Sequence, residues 1–155
     1  MKEPSFSYSA KGIQWKENQR EMAERITPAI LSNMVLILNE KGQILVELRN
    51  KKDWPGLTLP GGHVEPEETL TASVIRETEE ETGLVIKDPV LCDVMEWPWT
   101  EGSRYLAFLY RAEDYSGTLK SSAEGKVFWI SPEDIHQYPL SQDFEKILSM
   151  MLKKK

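Results

Sequence analysis

Cysteine is nearly missing from this chain of 155 residues: Cys92 stands alone, which excludes an intrachain disulfide and suits a reducing compartment. Long hydrophobic runs are missing too. No stretch approaches the roughly eighteen consecutive apolar residues of a membrane span, and the opening Met1-Lys2-Glu3-Pro4-Ser5 lacks the basic-then-apolar profile of a secretory signal. The expected location is cytoplasmic, with no membrane partner. Positive charge is in deficit, 19 Lys and Arg against 25 Asp and Glu for a net −6, which argues against a broad basic surface for polymeric DNA or RNA. A small polyphosphate that arrives with its own divalent ion is still compatible with an acidic protein. No internal repeat or low-complexity segment is present, and the length suits a single domain with a proper core.

Hydrophobic patterning divides the chain into strands and helices. Residues 29–38 read as a strand, 39–42 as a turn and 43–48 as the returning hairpin partner. Residues 50–56 read as a loop, and 57–60 as a short strand running into Gly61-Gly62. Further strands are expected at 89–95, 104–112 and 126–130, with loops at 97–102 and 115–122. Ser131 and Asp134 open a helical turn, and Ser141 is placed to cap a closing helix over 142–152. In that helix Phe144, Ile147, Leu148 and Met151 form an apolar stripe. Residues 1–28, with Phe6, Tyr8 and Trp15, read as an N-terminal extension with an edge strand and a helix over 17–25, ahead of a domain at 29–155 that ends in a solvated Lys153-Lys154-Lys155 tail. Such a sequence of elements implies an α+β or mixed layered fold.

The most informative segment is 62–84, GHVEPEETLTASVIRETEEETGL. In a helix over this segment Glu80 and Glu81 lie three and four positions after Glu77 and share roughly one face. Like charges at those spacings repel, so three stacked carboxylates make sense around a cation, and a hard divalent ion with oxygen ligands fits, Mg²⁺ before Ca²⁺. Glu79 falls nearly opposite Glu77 and should be surface. Gly83 is placed to end the helix, with Leu84 as the hydrophobic contact that follows.

Counted from Gly62, the spacing of Glu68, Arg76, Glu77, Glu80, Glu81, Gly83 and Leu84 resembles the Nudix box of pyrophosphohydrolases. The departure is Thr78, where the family usually carries an aliphatic residue; on the buried side of the helix its methyl can pack while its hydroxyl bonds back one turn. The resemblance implies an α/β/α sandwich around a mixed sheet, a Mg²⁺ cofactor that Mn²⁺ can replace, and a small nucleotide substrate handled by a monomer or homodimer. It implies metal ligation by Glu77, Glu80, Glu81 and the Gly61 carbonyl, with Arg76 holding a box glutamate in place and Glu68 supporting the shell. A general base is still required. The candidates are Glu77 and Glu124, the latter in the Ser121–Lys126 loop, where several Nudix enzymes carry a catalytic or metal-binding glutamate.

A nucleotide's organic end needs a partly apolar cleft. Trp54, Trp97 and Trp99 fall in expected loops, where their rings can stack on a base or anchor the loops. His63 is a candidate phosphate contact or a hydrogen-bonded structural residue, and Gln142 and Asp143 are candidates for reading a purine edge. Cys92 reads as core. The phrases at 52–58, 59–65 and 121–129 resemble the MutT-like subgroup acting on 8-oxo-dGTP. Alternatives are a nucleotide sugar or dinucleotide polyphosphate as substrate, or a Nudix-fold binding module without turnover. The latter tends to lose box carboxylates, all of which are present here.

Overall fold

Strand β1 (Ala29–Ile37) loses its solvent contact on both faces: Val35, Leu36 and Ile37 are each fully buried. A strand of this kind needs neighbours on both edges and a covering layer on both sides. In the computed structural model, which describes residues 19–153, it has both. The expected edge strand near the N-terminus, the extension's aromatics and the last two lysines lie outside the described residues. Residues 19–23 are helical (α1).

The elements that follow β1 are β2 (Ile44–Arg49), β3 (Gly56–Thr58), β4 (Gly61–His63), helix α2 (Leu70–Thr82), β5 (Leu84–Lys87), β6 (Val90–Pro98), β7 (Arg104–Ala112), β8 (Asp114–Gly117), β9 (Gly125–Ile130), a 3₁₀ helix (Pro132–Gln137) and α3 (Phe144–Leu152). A mixed sheet runs β4-β1-β7-β6, with β1 parallel to β7 and the other pairs antiparallel. A second, antiparallel sheet runs β3-β2-β9, and β5 pairs with β8 as a ribbon.

The expected β1–β2 hairpin therefore does not form beyond a single Leu38–Ile44 bridge. Both strands are apolar on both faces, and each gains two partners by entering a different sheet, where a hairpin would have given only one. The β5–β8 ribbon was not expected: Leu84–Lys87 follows the helix without a break, and Asp114–Gly117 is too polar to read as a strand. Strand β6 runs on through Trp97 and Pro98, so Trp97 is a strand residue paired with Tyr105. It continues because Met95 and Trp97 both pack onto the core. Cys92 is only half-buried, since β6 is a sheet edge.

Strand alternation sends neighbouring residues to opposite layers. Leu36, Ile44, Val46, Leu57 and Leu109 pack with Phe144, Ile147, Leu148 and Met151 of α3. Val35, Ile37, Leu45, Tyr110 and Val127 pack with Val74 of α2 and with Leu84 and Ile86. The result is the expected α/β/α sandwich. No helix among the described residues is long and apolar enough to cross a membrane.

Helix α2 starts where Thr69 Oγ1 accepts the Ala72 N–H at 3.1 Å and stops at Gly83, whose φ of 78° is left-handed. A Cβ at Gly83 would lie 2.3 Å from the Thr118 carbonyl oxygen, so the stop also lets the β8 end approach. Thr78 is fully buried and donates to the Val74 carbonyl at 2.6 Å, as Thr82 does to Thr78. The hydroxyl in the aliphatic slot is thus satisfied.

The closing helix begins later than expected. Ser141 does not cap it: its N–H donates to the Leu57 carbonyl at 3.0 Å while Leu57 N–H donates to Pro139 at 2.7 Å, which holds this segment along β3. Asp143, at φ 61°, becomes the N-cap residue, with no side-chain capping bond because its carboxylate is engaged elsewhere. Phe144 is the bulkiest fully buried residue. Phe144→Ala should destabilise the protein by about 3–5 kcal/mol, read as a lower urea midpoint at unchanged slope; a loss below about 1 kcal/mol would contradict this packing.

Candidate active site

The Pro60–Gly62 corner brings β4 against β1 and under α2. A Cβ on Gly61 would lie 2.0 Å from the Asn33 carbonyl oxygen, and one on Gly62 would lie 2.3 Å from the Glu77 carboxyl carbon. Backbone contact therefore requires glycine at 61, and at 62 a side chain would displace the Glu77 carboxyl. At Gly61 it is the β1 backbone that approaches closely. Asn33, itself buried, accepts the Gly62 N–H at 3.3 Å and donates to Ser73 on α2, tying strand, corner and helix together.

The three box carboxylates sit at three depths. Glu81 is buried, at 5 % exposure, and accepts the Gly61 N–H at 3.0 Å. Glu77 is mostly covered and Glu80 is largely exposed. Glu79, on the far side of the helix, faces solvent.

Arg76 organises the outer half. Its Nε and Nη2 hold Glu68 in a fork at 2.7 and 3.0 Å, Nη1 reaches Glu77 at 2.9 Å and Glu80 at 3.1 Å, and Nη2 also donates to the His63 carbonyl. Paired forks of this kind are the stronger class of ion pair. The fork holds the Glu68 carboxyl down to about 2. Burial raises Glu77 against the pull of Arg76.

The inner half contains a residue the sequence reading missed. Glu47 on β2 is only 1 % exposed, faces Glu81, and its Oε1 meets no hydrogen-bond partner. Burial, then the Glu47 charge, pushes the Glu81 carboxyl up to about 9. Burial likewise raises Glu47 to about 7, with Arg49 pulling the other way. Arg49 was also missed. It pairs with Asp53 at 2.9 Å and with Glu124 at 3.3 Å, which brings the Ser121–Lys126 loop to the same place through the β2–β9 register. The only sequence signal for either residue was a charge inside an apolar strand.

Among the described residues no three carboxylate, imidazole or thiol groups stand as a ready-made ligand set. Arg76 lies between Glu77 and Glu80 and offsets part of the negative charge of the outer half. The donors nevertheless fit a hard cation: all are carboxylates, and the inner pair is buried with an orphaned oxygen.

The NUDIX domain family model matches residues 30–151. The chain belongs to the Nudix family. It is 33% identical over 128 residues to the uncharacterized Nudix hydrolase YvcI of Bacillus subtilis, spanning 79% of this chain and 78% of that one. It is 31% identical over 109 residues to the CTP pyrophosphohydrolase of Escherichia coli, spanning 68% and 78%. The crystal structure of a MutT Nudix hydrolase from Burkholderia pseudomallei superposes with a TM-score of 0.69 at 25% identity, over 79% of this chain and 97% of that one. Nudix hydrolases generally use divalent metal ions, and the chain is a Nudix hydrolase.

Beyond the box, this Nudix domain presents a row of aromatic rings. Trp54 and Trp97 meet edge to face at 5.7 Å, Trp97 and Tyr105 at 5.9 Å, and Tyr105 and Trp99 lie 5.2 Å apart. His63 Nε2 and the Tyr105 hydroxyl are 3.0 Å apart, so His63 is hydrogen-bonded and joins the box corner to this row. Trp97 Nε1 donates to Asp143 Oδ2 at 2.7 Å, Trp54 Nε1 is buried without a partner, Trp99 is 55% exposed, and Gln142 points to solvent. The sequence reading had no means of finding Tyr105, which lies inside a strand pattern.

The raised carboxyls set a pH dependence. Glu47 and Glu81 hold protons in the folded state that the unfolded chain has released above about 4.5, so stability falls as pH rises from there through about 7 and about 9. Without divalent ions, the melting temperature should fall between pH 5 and 9, and Glu81→Gln should flatten the slope. Thermal scans with chelator check this; an equal slope in both proteins would contradict it.

Proposed function

We propose that this Nudix hydrolase is a MutT-like enzyme that uses Mg²⁺, replaceable by Mn²⁺, to cleave a phosphoanhydride in an oxidised purine nucleoside triphosphate. The products are the nucleoside monophosphate and pyrophosphate. The observation that carries the substrate reading is the aromatic row ending on the Asp143 carboxylate. Flat rings stack on a purine but hardly tell one from another. Asp143 is acceptor-only when ionised. A guanine N7 is an acceptor and is repelled there, whereas the oxidised base carries N7–H and is accepted. Gln142, at the same helix start, is a further candidate for the base edge.

Glu77, Glu80, Glu81 and the Gly61 carbonyl would hold the ion, which neutralises phosphate charge and acidifies a bound water. Arg76 keeps Glu77 and Glu80 in place, and Glu68 keeps Arg76 in place, through the bonds described above. His63, between box corner and aromatic row, is positioned for the phosphate side of the substrate. Glu124 accepts the proton of the attacking water: it is more exposed than Glu77 and bears a single ion pair in place of the tight Arg76 bond. The water oxygen bonds to phosphorus as the P–O bond to the bridging oxygen breaks and the departing phosphate group leaves with that oxygen.

Glu80→Gln and Glu81→Gln should each lower kcat by about two orders of magnitude or more while the proteins stay folded. Near-normal turnover in either would sink the metal assignment. Glu124→Gln should lower kcat with little change in KM; wild-type kcat there, with loss only in Glu77→Gln, would move the base to the box helix.

On a nucleotide panel with Mg²⁺, kcat/KM for 8-oxo-dGTP should exceed that for dGTP, and Asp143→Asn should narrow the gap. Pocket shape alone offers about 1–3 kcal/mol of discrimination, whereas a mispaired buried polar group offers more. Equal rates on all triphosphates would defeat the sanitising reading. The cytosine amine also donates to a carboxylate, so a preference for CTP, the substrate named for the Escherichia coli relative, would replace the purine. Activity confined to ADP-ribose or a dinucleotide polyphosphate would replace the triphosphate.

A further inference from the structure

We propose that Glu47 is a further ligand of the divalent ion, contributed by strand β2 to a site whose other carboxylates come from helix α2. The proposal rests on the metal reading above, and it starts from the strand. Residues 45, 47 and 49 form the row of β2 that faces α2. Leu45 is fully buried in the layer that holds Val74. Glu47 comes next in that row, between Thr58 of β3 and Val127 of β9 in register. Both neighbours are buried, so a valine or threonine would satisfy packing at this position.

A carboxylate there must be paired or ligated, because an isolated buried charge is among the costliest groups in a fold. The cation nearest in sequence, Arg49, acts on Glu47 only through its field: it makes no hydrogen bond to it, its ion pairs go to Asp53 and Glu124, and its buried Nε has no partner. Glu81 faces Glu47, and a proton shared between them would occupy one oxygen of each. The other oxygen of Glu47, Oε1, is shielded from solvent and has no donor. Glu77 and Glu124 add their negative fields at the same place. The chemistry that satisfies an orphaned carboxylate oxygen among other carboxylates is a hard divalent cation. This ligand differs from the box residues in origin: the sheet supplies it, so the ion would tie β2 to α2.

The test is metal affinity without substrate. Calorimetric titration of the full chain with Mn²⁺, with paramagnetic resonance of bound Mn²⁺ alongside, would compare the wild type with Glu47→Gln, Glu47→Met and Glu79→Gln. Methionine has similar volume and no charge, and it keeps the test usable if the glutamine protein does not fold; circular dichroism reports folding. Both Glu47 variants should bind Mn²⁺ at least about tenfold more weakly, the scale on which groups around a metal act. Glu79→Gln removes the same charge from the exposed side of α2 and should bind as the wild type does. Wild-type affinity in a folded Glu47 variant would overturn the proposal while leaving the box site intact, and so would an equal loss in Glu79→Gln. Absence of Mn²⁺ binding by the wild type would overturn the metal reading and this proposal together.

Discussion

The bond from the Gly61 N–H to Glu81, at 3.0 Å, is the contact on which the rest of this site depends. It holds a carboxylate in a nearly water-free position at the centre of the fold. The corner that presents this N–H is glycine twice over: Gly61 lets β4 lie on β1, and Gly62 leaves room for the Glu77 carboxyl. The helix has to be fixed just as firmly. Thr69 starts it, Gly83 stops it, and Thr78 and Thr82 return their hydroxyls to its own carbonyls, so no buried polar group on that face competes with Glu81. Local capping, close backbone packing and burial of charge are one design.

Charge in the site is arranged in two halves with different physics. Outside, Arg76 gathers Glu68, Glu77 and Glu80 and holds them in place. Inside, Glu47 and Glu81 face each other away from water, and burial favours their protonated forms. A protein that only had to fold would gain by replacing the inner pair with apolar residues. Retaining it makes sense where a cation supplies the missing charge. The strain of the metal-free pair and the attraction for a divalent ion are then two aspects of one arrangement.

Most of the outer half was legible in the sequence. Capping, periodicity and carboxylate spacing are local properties, so the box helix, its glycine stop and the placement of Glu79 in solvent followed from residues within a few turns of one another. Thr78 was legible for the same reason, since its hydrogen bond is to its own helix. Strand pairing was less legible. Residues 29–38 and 43–48 carry a hairpin pattern, yet they join different sheets, because what decides pairing is the number of buried faces each strand must cover. Trp97 carries no local sign that β6 continues through it, and the segment of Ser141 is held along β3 by backbone bonds to Leu57, some eighty residues away in sequence, so that the helix starts only after Asp143.

The sequence by itself determined the family, the box helix with its row of acids and the apolar stripe of the closing helix, because each is written in spacings a helix or strand enforces locally. Only the tertiary structure decided the depth of each acid. Glu77, Glu80 and Glu81 look equivalent in the sequence and end up covered, exposed and buried. Glu47 and Arg49 are anomalies in an apolar strand until the β2 row is turned toward α2, and Asp143 meets Trp97 only across 46 positions of chain. Burial and long-range pairing depend on which surfaces the whole chain brings together, and no window of sequence contains that information.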